Sequence, residues 1–115
     1  IKFSDAGREE VVAMHERLLA NMTLAFNVLV SDDVESARLL LEEKNEMTRL
    51  ERSSRKKHLK RLSEGAKISF DSSDIHLETL RALREFNSHI AAVSYPILYR
   101  NGQLLETRLI NSMDK

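Results

Sequence analysis

A run of cations in the middle of the chain is the feature best suited to binding another molecule. Between Arg49 and Arg61 seven residues are lysine or arginine, and Glu51 is the one acid among them. Such a run suits an anionic lipid surface, phosphate or nucleic acid. It contains no aromatic residue, so base stacking on single-stranded nucleic acid is not supported. The predicted contacts with an anionic surface are Arg52, Arg55, Lys56, Lys57, Lys60 and Arg61.

The same run also has a purely structural interpretation. Residues 31–46, which precede it, carry six acids and two bases. Acids at the start and bases at the end of a helix complement the helix dipole, by about 0.3–1 kcal/mol for a well-placed charge. Because the whole chain has a formal net charge of zero, there is no global reason to expect nucleic acid as a partner.

The remaining reactive residue types do not form a recognisable catalytic pattern. The four histidines do not form an H-E-x-x-H motif, and no two of them lie four residues apart. No serine lies in a nucleophile elbow, and the chain has no cysteine. We therefore predict no catalytic residue, no metal ligand and no cofactor, and expect the chain not to be an enzyme.

Hydrophobic residues recur at spacings of three and four along three long segments, the pattern of amphipathic helices. The predicted helices span about 5–30, 33–64 and 72–100, with an apolar tail at 102–112. Asp32 with Glu35 has the order of a capping box, and Asp71 or Ser72 is expected to cap the third helix. Pro96 is expected to kink or end that helix. The predicted inward positions are Val11, Met14, Leu18, Met22, Ala25 and Leu29, then Val34, Ala37, Leu40 or Leu41, Met47, Leu50, Ser54 and Leu62, then Leu80, Leu83, Asn87, Ile90, Ser94 and Ile97.

Long helices joined by short loops pack side by side in opposite directions. We therefore predict one all-α domain, an antiparallel up-down-up three-helix bundle that takes in all 115 residues. Asn87 lies between Leu83 and Ile90 on the inward face and is expected to be a buried polar residue of the core, which would fix the helix register.

The third helical segment carries a family resemblance. Residues 73–96, SDIHLETLRALREFNSHIAAVSYP, resemble the PhoU-like domain at the C-terminus of bacterial sodium-dependent phosphate cotransporters. The stretch from Glu42 to Leu62 is similar to the second helix of that domain. The resemblance extends from about Val11 to Ile110 and includes no invariant catalytic signature.

The resemblance implies a three-helix bundle that follows a transmembrane transporter domain of the same chain, on the cytoplasmic side of the bacterial inner membrane. The sequence would then be a piece of a longer integral membrane protein, with a role in phosphate transport or its regulation. Free-standing PhoU proteins bind metal clusters through an E/D-x-x-x-D motif. The corresponding positions here are Lys44 and Thr48, and an inward aspartate of the family corresponds to Asn87, so the resemblance implies no metal site in this chain.

Two alternatives remain open. One is a free-standing, metal-binding regulator of phosphate uptake. The other is a helical adaptor that dimerises through an exposed apolar stripe on the third helix, which includes Phe86 and Val93. The expected partners are therefore the transporter domain, a second copy of the chain or an anionic lipid surface, and not nucleic acid.

Overall fold

The computed structural model describes residues 5–65 and 70–102. These residues form four helices: α1 (Asp5–Ser31), α2 (Val34–Ser63), α3 (Phe70–Ala91) and α4 (Ser94–Arg100). The three long helices pack against one another, and α4 packs mainly against α2. The described residues therefore confirm the predicted fold class, an antiparallel three-helix bundle.

A tight turn reverses the chain between α1 and α2. Asp32 has a φ of 52°, in the left-handed region, and its N–H donates to the carbonyl of Val28 at 2.9 Å. Asp33 is the N-cap of α2: its carboxylate accepts from the Glu35 N–H at 3.1 Å and from the Ser36 hydroxyl at 2.8 Å. The prediction that Asp32 caps this helix is wrong by one residue, because Asp32 supplies the left-handed step that ends α1.

The predicted third helix, 72–100, is two helices separated at Ala92 and Val93. The break lies ahead of Pro96, which occupies the first turn of α4. Proline is tolerated there because the first turn of a helix needs no backbone donor, whereas inside a continuous helix it would remove a hydrogen bond and clash with the preceding turn. The expectation that Pro96 interrupts the helix is thus met, a few residues earlier along the chain.

The start of α3 differs from the prediction, and the predicted tail cannot be compared with the structure. The helix begins at Phe70, so Asp71 and Ser72 lie inside it and neither is its N-cap. The predicted tail lies outside the described residues after Gly102. Among the described helices, none has a stretch that is long and apolar enough to cross a membrane.

Two groups of buried apolar side chains lie along the bundle. The first group is in the half that contains the α1–α2 turn and α4, and the second is in the other half. Their members are Ala25, Val28, Ala37, Leu40, Ala91, Ile97 and Leu98, and then Met14, Leu18, Met47 and Leu80.

The inward face of α1 differs from the prediction in its second half. Met22 and Leu29 were expected in the core, but they are 44% and 65% exposed. Asn21 and Val28 take their places, at 1% and 0%. Both sets fit a spacing of three and four, so the spacing alone does not decide which stripe faces inward. Leu62 of α2, also predicted inward, is 38% exposed, and the last buried residue of this helix is His58.

Candidate functional site

A pair of amides joins α1 to α3 inside the bundle. Asn21 Nδ2 donates to Asn87 Oδ1 at 2.8 Å, and both residues are buried. Asn87 Nδ2 and the hydroxyl of Ser94 are buried without a hydrogen-bond partner among the described residues. A neutral amide pair in the core holds two helices in one register, and it offers no charge for catalysis or for binding a hard cation.

Lys44 and Thr48, which the resemblance to PhoU proteins aligns with a metal-binding motif, are engaged in other interactions here. Lys44 Nζ donates to the Tyr95 hydroxyl at 2.8 Å and lies 5.4 Å from the centre of its ring. The Thr48 hydroxyl donates to the backbone carbonyl of Lys44 at 3.2 Å. The Lys44–Tyr95 contact ties α2 to α4, and the Thr48 bond lies within α2, so the polar atoms of both side chains are used inside this chain.

A buried carboxylate lies at the centre of an ion-pair network between α2 and α3. Glu51 is only 8% exposed at its side chain and bonds Arg55 on its own helix at 2.8 Å and Arg84 on α3. A second ion pair, between Arg17 and Glu43, joins α1 to α2 through two bonds of 2.8 and 3.0 Å. In both cases a carboxylate at a contact between two helices is paired with arginine, so its charge is not left uncompensated there.

Four titratable or charged side chains meet where α1 begins, α2 ends and α3 passes. Glu10 Oε1 is 3.3 Å from His76 Nε2 and 3.6 Å from Arg61 Nη2. The ring of His58 lies beside that of His76, with 5.4 Å between their centres. Each of the two histidines is 3% exposed, so this group, which we call the histidine cluster (Glu10, His58, Arg61 and His76), is a charged site inside the bundle.

Burial lowers the pKa of both imidazoles below the ordinary value of 6.5. For His58 the neighbouring His76 and Arg61 lower the pKa further, since each would repel a second positive charge, and Glu10 opposes them weakly. For His76 the carboxylate of Glu10 raises the pKa against the effect of burial and Arg61, and the net direction is still downward. The cluster is therefore neutral at its two rings near pH 7 and takes up protons only in more acidic solution.

The six predicted contacts with an anionic surface do not share one environment. Arg52, Lys56, Lys57 and Lys60 are exposed. Arg55 is exposed but pairs with the buried Glu51, and the half-buried Arg61 points to Glu10. The four cations that remain, which we call the basic surface (Arg52, Lys56, Lys57 and Lys60), are available to an external anion; Lys60 has only a 3.9 Å contact to the exposed Glu64.

Five polar residues of the interior were not predicted from the sequence: Asn21, Ser36, Glu51, His58 and His76. Glu51 and His58 lie within the run of cations, where their surroundings favour an exposed interpretation. Their spacing does contain a signal, because 47, 51, 54 and 58 continue the inward stripe of α2 at steps of three and four. Asn87, which the sequence placed inside, is 0% exposed. Within the described part of the chain, no three histidine or acidic side chains are arranged to hold a metal ion.

Comparison with known proteins places the chain beside proteins named for phosphate transport. It is 35% identical over 101 residues to the Salmonella typhimurium (strain LT2) protein named "Putative inorganic phosphate export protein YjbB", which covers 88% of this chain. It is 36% identical over 96 residues to the Escherichia coli (strain K12) protein of the same name, covering 84% of this chain.

The chain spans less than a fifth of the length of these relatives, 19% and 18% respectively. No family model matches the sequence, and no solved structure matches it. The phosphate context that the third helical segment indicated is thus supported by homologues. The chain is similar to one portion of a much longer protein named for phosphate export.

Proposed function

We propose that this chain is a non-catalytic regulatory domain of a membrane protein that transports phosphate, and that it acts by contact. The observation that carries the proposal is the similarity to YjbB, over most of this chain and less than a fifth of that protein. The other four-fifths of such a parent would hold the transport machinery. A sodium-dependent phosphate symporter, with the domain on the cytoplasmic side of the inner membrane, is the specific parent that the PhoU-like resemblance implies.

The polar chemistry of the described residues supports a contact role. Asn21 bonds Asn87, Lys44 bonds Tyr95, and Glu51 bonds Arg84, so each pair joins two helices of the bundle. Buried polar pairs of this kind specify a unique packing. They hold the surface of the bundle in a fixed shape, which is what a domain needs if it works by touching a partner.

The basic surface indicates which part of the domain makes a contact with the membrane. Leu59 and Leu62 lie among its cations and are 56% and 38% exposed. Cations next to exposed apolar side chains on one helix are typical of a segment that rests on an anionic bilayer surface, where each lysine or arginine contributes about 1 kcal/mol. We infer that this end of α2 faces the inner leaflet next to the transporter part.

Flotation with vesicles tests the membrane contact. Lys56, Lys57 and Lys60 are changed to glutamate, and Arg55 is left in place because it pairs with Glu51. The control reverses three other exposed arginines, Arg38, Arg49 and Arg81, whose ion pairs are with near neighbours on their own helices. The wild-type chain and the control should float with vesicles rich in anionic lipid, and the lysine variant should not. Equal flotation of both variants would remove the lipid contact from the proposal.

Capture of the transporter part tests the contact within the parent protein. The chain is produced separately with a tag and added to detergent-solubilised membranes that contain its parent protein without this segment. We expect the two parts to purify together in phosphate-free buffer at moderate salt. Failure to do so, with the added chain still helical by circular dichroism, would argue against a domain that docks on its own transporter.

A further inference from the structure

The histidine cluster continues the core of the bundle toward the end where α1 begins. Glu10 lies four residues before Met14 on α1, and His76 lies four residues before Leu80 on α3. His58 is the last buried residue of α2. Because Met14 and Leu80 belong to the second apolar group, charged and titratable side chains follow apolar ones at this end of the core.

The start of α1 is held to the bundle largely through this cluster. In the first turns of the helix Gly7 is the only fully buried residue, and Val11 packs partly against the second apolar group. Glu10 reaches His76 on α3 at 3.3 Å and Arg61 on α2 at 3.6 Å. A helix end with few buried apolar contacts opens more readily than the rest of a domain. The attachment of this end therefore depends on the charges of the cluster.

Charges inside the cluster balance while both imidazoles are neutral, because Glu10 carries one negative charge and Arg61 one positive charge. A proton on His76 adds a second cation beside the single carboxylate. A proton on His58, whose ring centre is 5.4 Å from that of His76, adds a third. Both ring nitrogens of His58 and two nitrogens of Arg61 are buried without a hydrogen-bond partner among the described residues. Like charges in such a buried site repel strongly, because little water screens them.

The other charged residues near this end of the bundle are exposed, so water screens them and they compensate little of the positive charge that protonation adds inside. They are Asp5, Arg8 and Glu9 of α1, Lys57, Lys60 and Glu64 of α2, and Asp74 and Glu78 of α3. Among the described residues, the charged groups that face the two imidazoles are Glu10 of α1 and Arg61 of α2.

We propose that the histidine cluster is a proton-operated latch, which holds the first turns of α1 on α2 and α3 while both rings are neutral and releases them when the rings are protonated. Burial keeps the pKa of both imidazoles below 6.5 in the closed form, and rings that an opening exposes to water return toward that value. The open form therefore binds protons more tightly, and acidification shifts the population toward it. The shift is at most about ten-fold per pH unit for each imidazole.

The latch lies beside the basic surface. His58 follows Lys57 along α2, and Arg61 follows Lys60. When the start of α1 is released, Glu10 no longer pairs with Arg61, and this cation becomes accessible next to the basic surface. Acidification thus changes the surface that the domain presents to a partner.

Distances between spin labels in solution test the latch, and the absence of cysteine from the sequence allows labels at chosen sites. One chain carries Ala6→Cys and Ala82→Cys, which connect the start of α1 with α3, and the control carries Thr23→Cys and Ala82→Cys. All three positions are exposed. Between about pH 7.5 and 5.5 the population with a longer distance should grow about ten-fold or more relative to the closed one for the first pair. The control pair should keep the same distance distribution.

Histidine substitutions in the chain labelled at positions 6 and 82 identify the group that responds. His58→Leu with His76→Leu should remove the response to pH, whereas His15→Leu, an exposed histidine on α1, should respond as the wild type does. A response that persists in the folded double variant would overturn the assignment to the cluster. If the double variant does not fold, the two wild-type pairs decide.

The same distribution for the first pair at both pH values would overturn the proposal. Equal changes in both pairs would also overturn it, because they would show a loosening of the whole bundle. These outcomes do not depend on the proposed function, since the measurement includes no lipid, phosphate or parent protein.

Discussion

Changing the buried Asn21–Asn87 pair to leucine, one residue at a time and together, tests the idea that the interior polar groups hold the bundle in register. Leucine has the same branching and the same number of side-chain heavy atoms as asparagine, so the changes remove the polarity and keep the shape of the side chain. Asn21 is 1% exposed and Asn87 is 0% exposed, and 2.8 Å separates the bonded atoms.

The expected loss of stability depends on which polar atoms each variant leaves buried without a partner. Asn87→Leu leaves the Asn21 amide buried without its acceptor, and Asn21→Leu leaves the Asn87 carbonyl without its donor. A buried polar group that loses its partner costs about 1–3 kcal/mol. The double variant removes both amides, including Asn87 Nδ2, which has no partner among the described residues, and should be close to neutral or stabilising. The coupling free energy between the two sites should therefore be at least about 2 kcal/mol.

Urea unfolding followed by circular dichroism, at one fixed protein concentration, measures the four free energies of unfolding. Equal slopes against urea in all four chains would show that the same structure is unfolding. If the two single changes simply add in the double variant, the amides do not act as a pair and the reasoning is wrong. If both single variants are as stable as the wild type, the pair is not buried as the structure places it.

Two further predictions concern the charged groups of the interior. Glu51→Ala should lower the free energy of unfolding in urea by about 2 kcal/mol, less than for a fully buried pair because Arg84 and Arg55 are partly exposed. The control Glu78→Ala, which removes an exposed carboxylate, should cost under about 0.5 kcal/mol. Equal costs would contradict the assignment of Glu51 as a buried, ion-paired carboxylate. Burial holds the folded-state pKa of His58 and His76 below 6.5, so at mildly acidic pH the unfolded chain binds more protons than the folded one. The free energy of unfolding should therefore fall as the pH is lowered through 6.5 toward the folded-state pKa, by up to about 1.4 kcal/mol per pH unit for each imidazole. His58→Leu should flatten this dependence while the exposed His89→Leu leaves it unchanged, and identical pH profiles for all three chains would show that the histidine cluster does not control it.

The sequence predicts the architecture well because helix periodicity is a local property. Met14, Leu18 and Ala25 of α1 lie inside as their spacing indicates, and the bundle follows from long helices joined by short turns. Periodicity predicts the spacing of the inward residues. It does not decide which of two stripes with the same spacing faces the core. In α1, Met22 and Leu29 fit the pattern as well as Asn21 and Val28 do.

The interior polar groups depend on partners that are distant along the chain. Asn21 is buried because Asn87 accepts its hydrogen bond 66 residues later, and Glu51 because Arg84 pairs with it 33 residues later. A carboxylate or an amide by itself favours an exposed position, so only the assembled bundle shows that these groups can be satisfied inside. For the same reason the histidine cluster, which combines residues of α1, α2 and α3, was not predicted from the run of cations.

Phosphate flux through the parent protein tests the central claim most directly. Cells without their own phosphate transporters would carry either the full-length parent or the parent without this segment, at equal levels in the membrane. Flux of labelled phosphate would be followed in both directions, with and without a sodium gradient. We predict that both forms move phosphate and that removal of the segment changes the rate or its response to external phosphate. No phosphate flux with either form would contradict the phosphate-transport role, and identical flux with both would contradict a regulatory one.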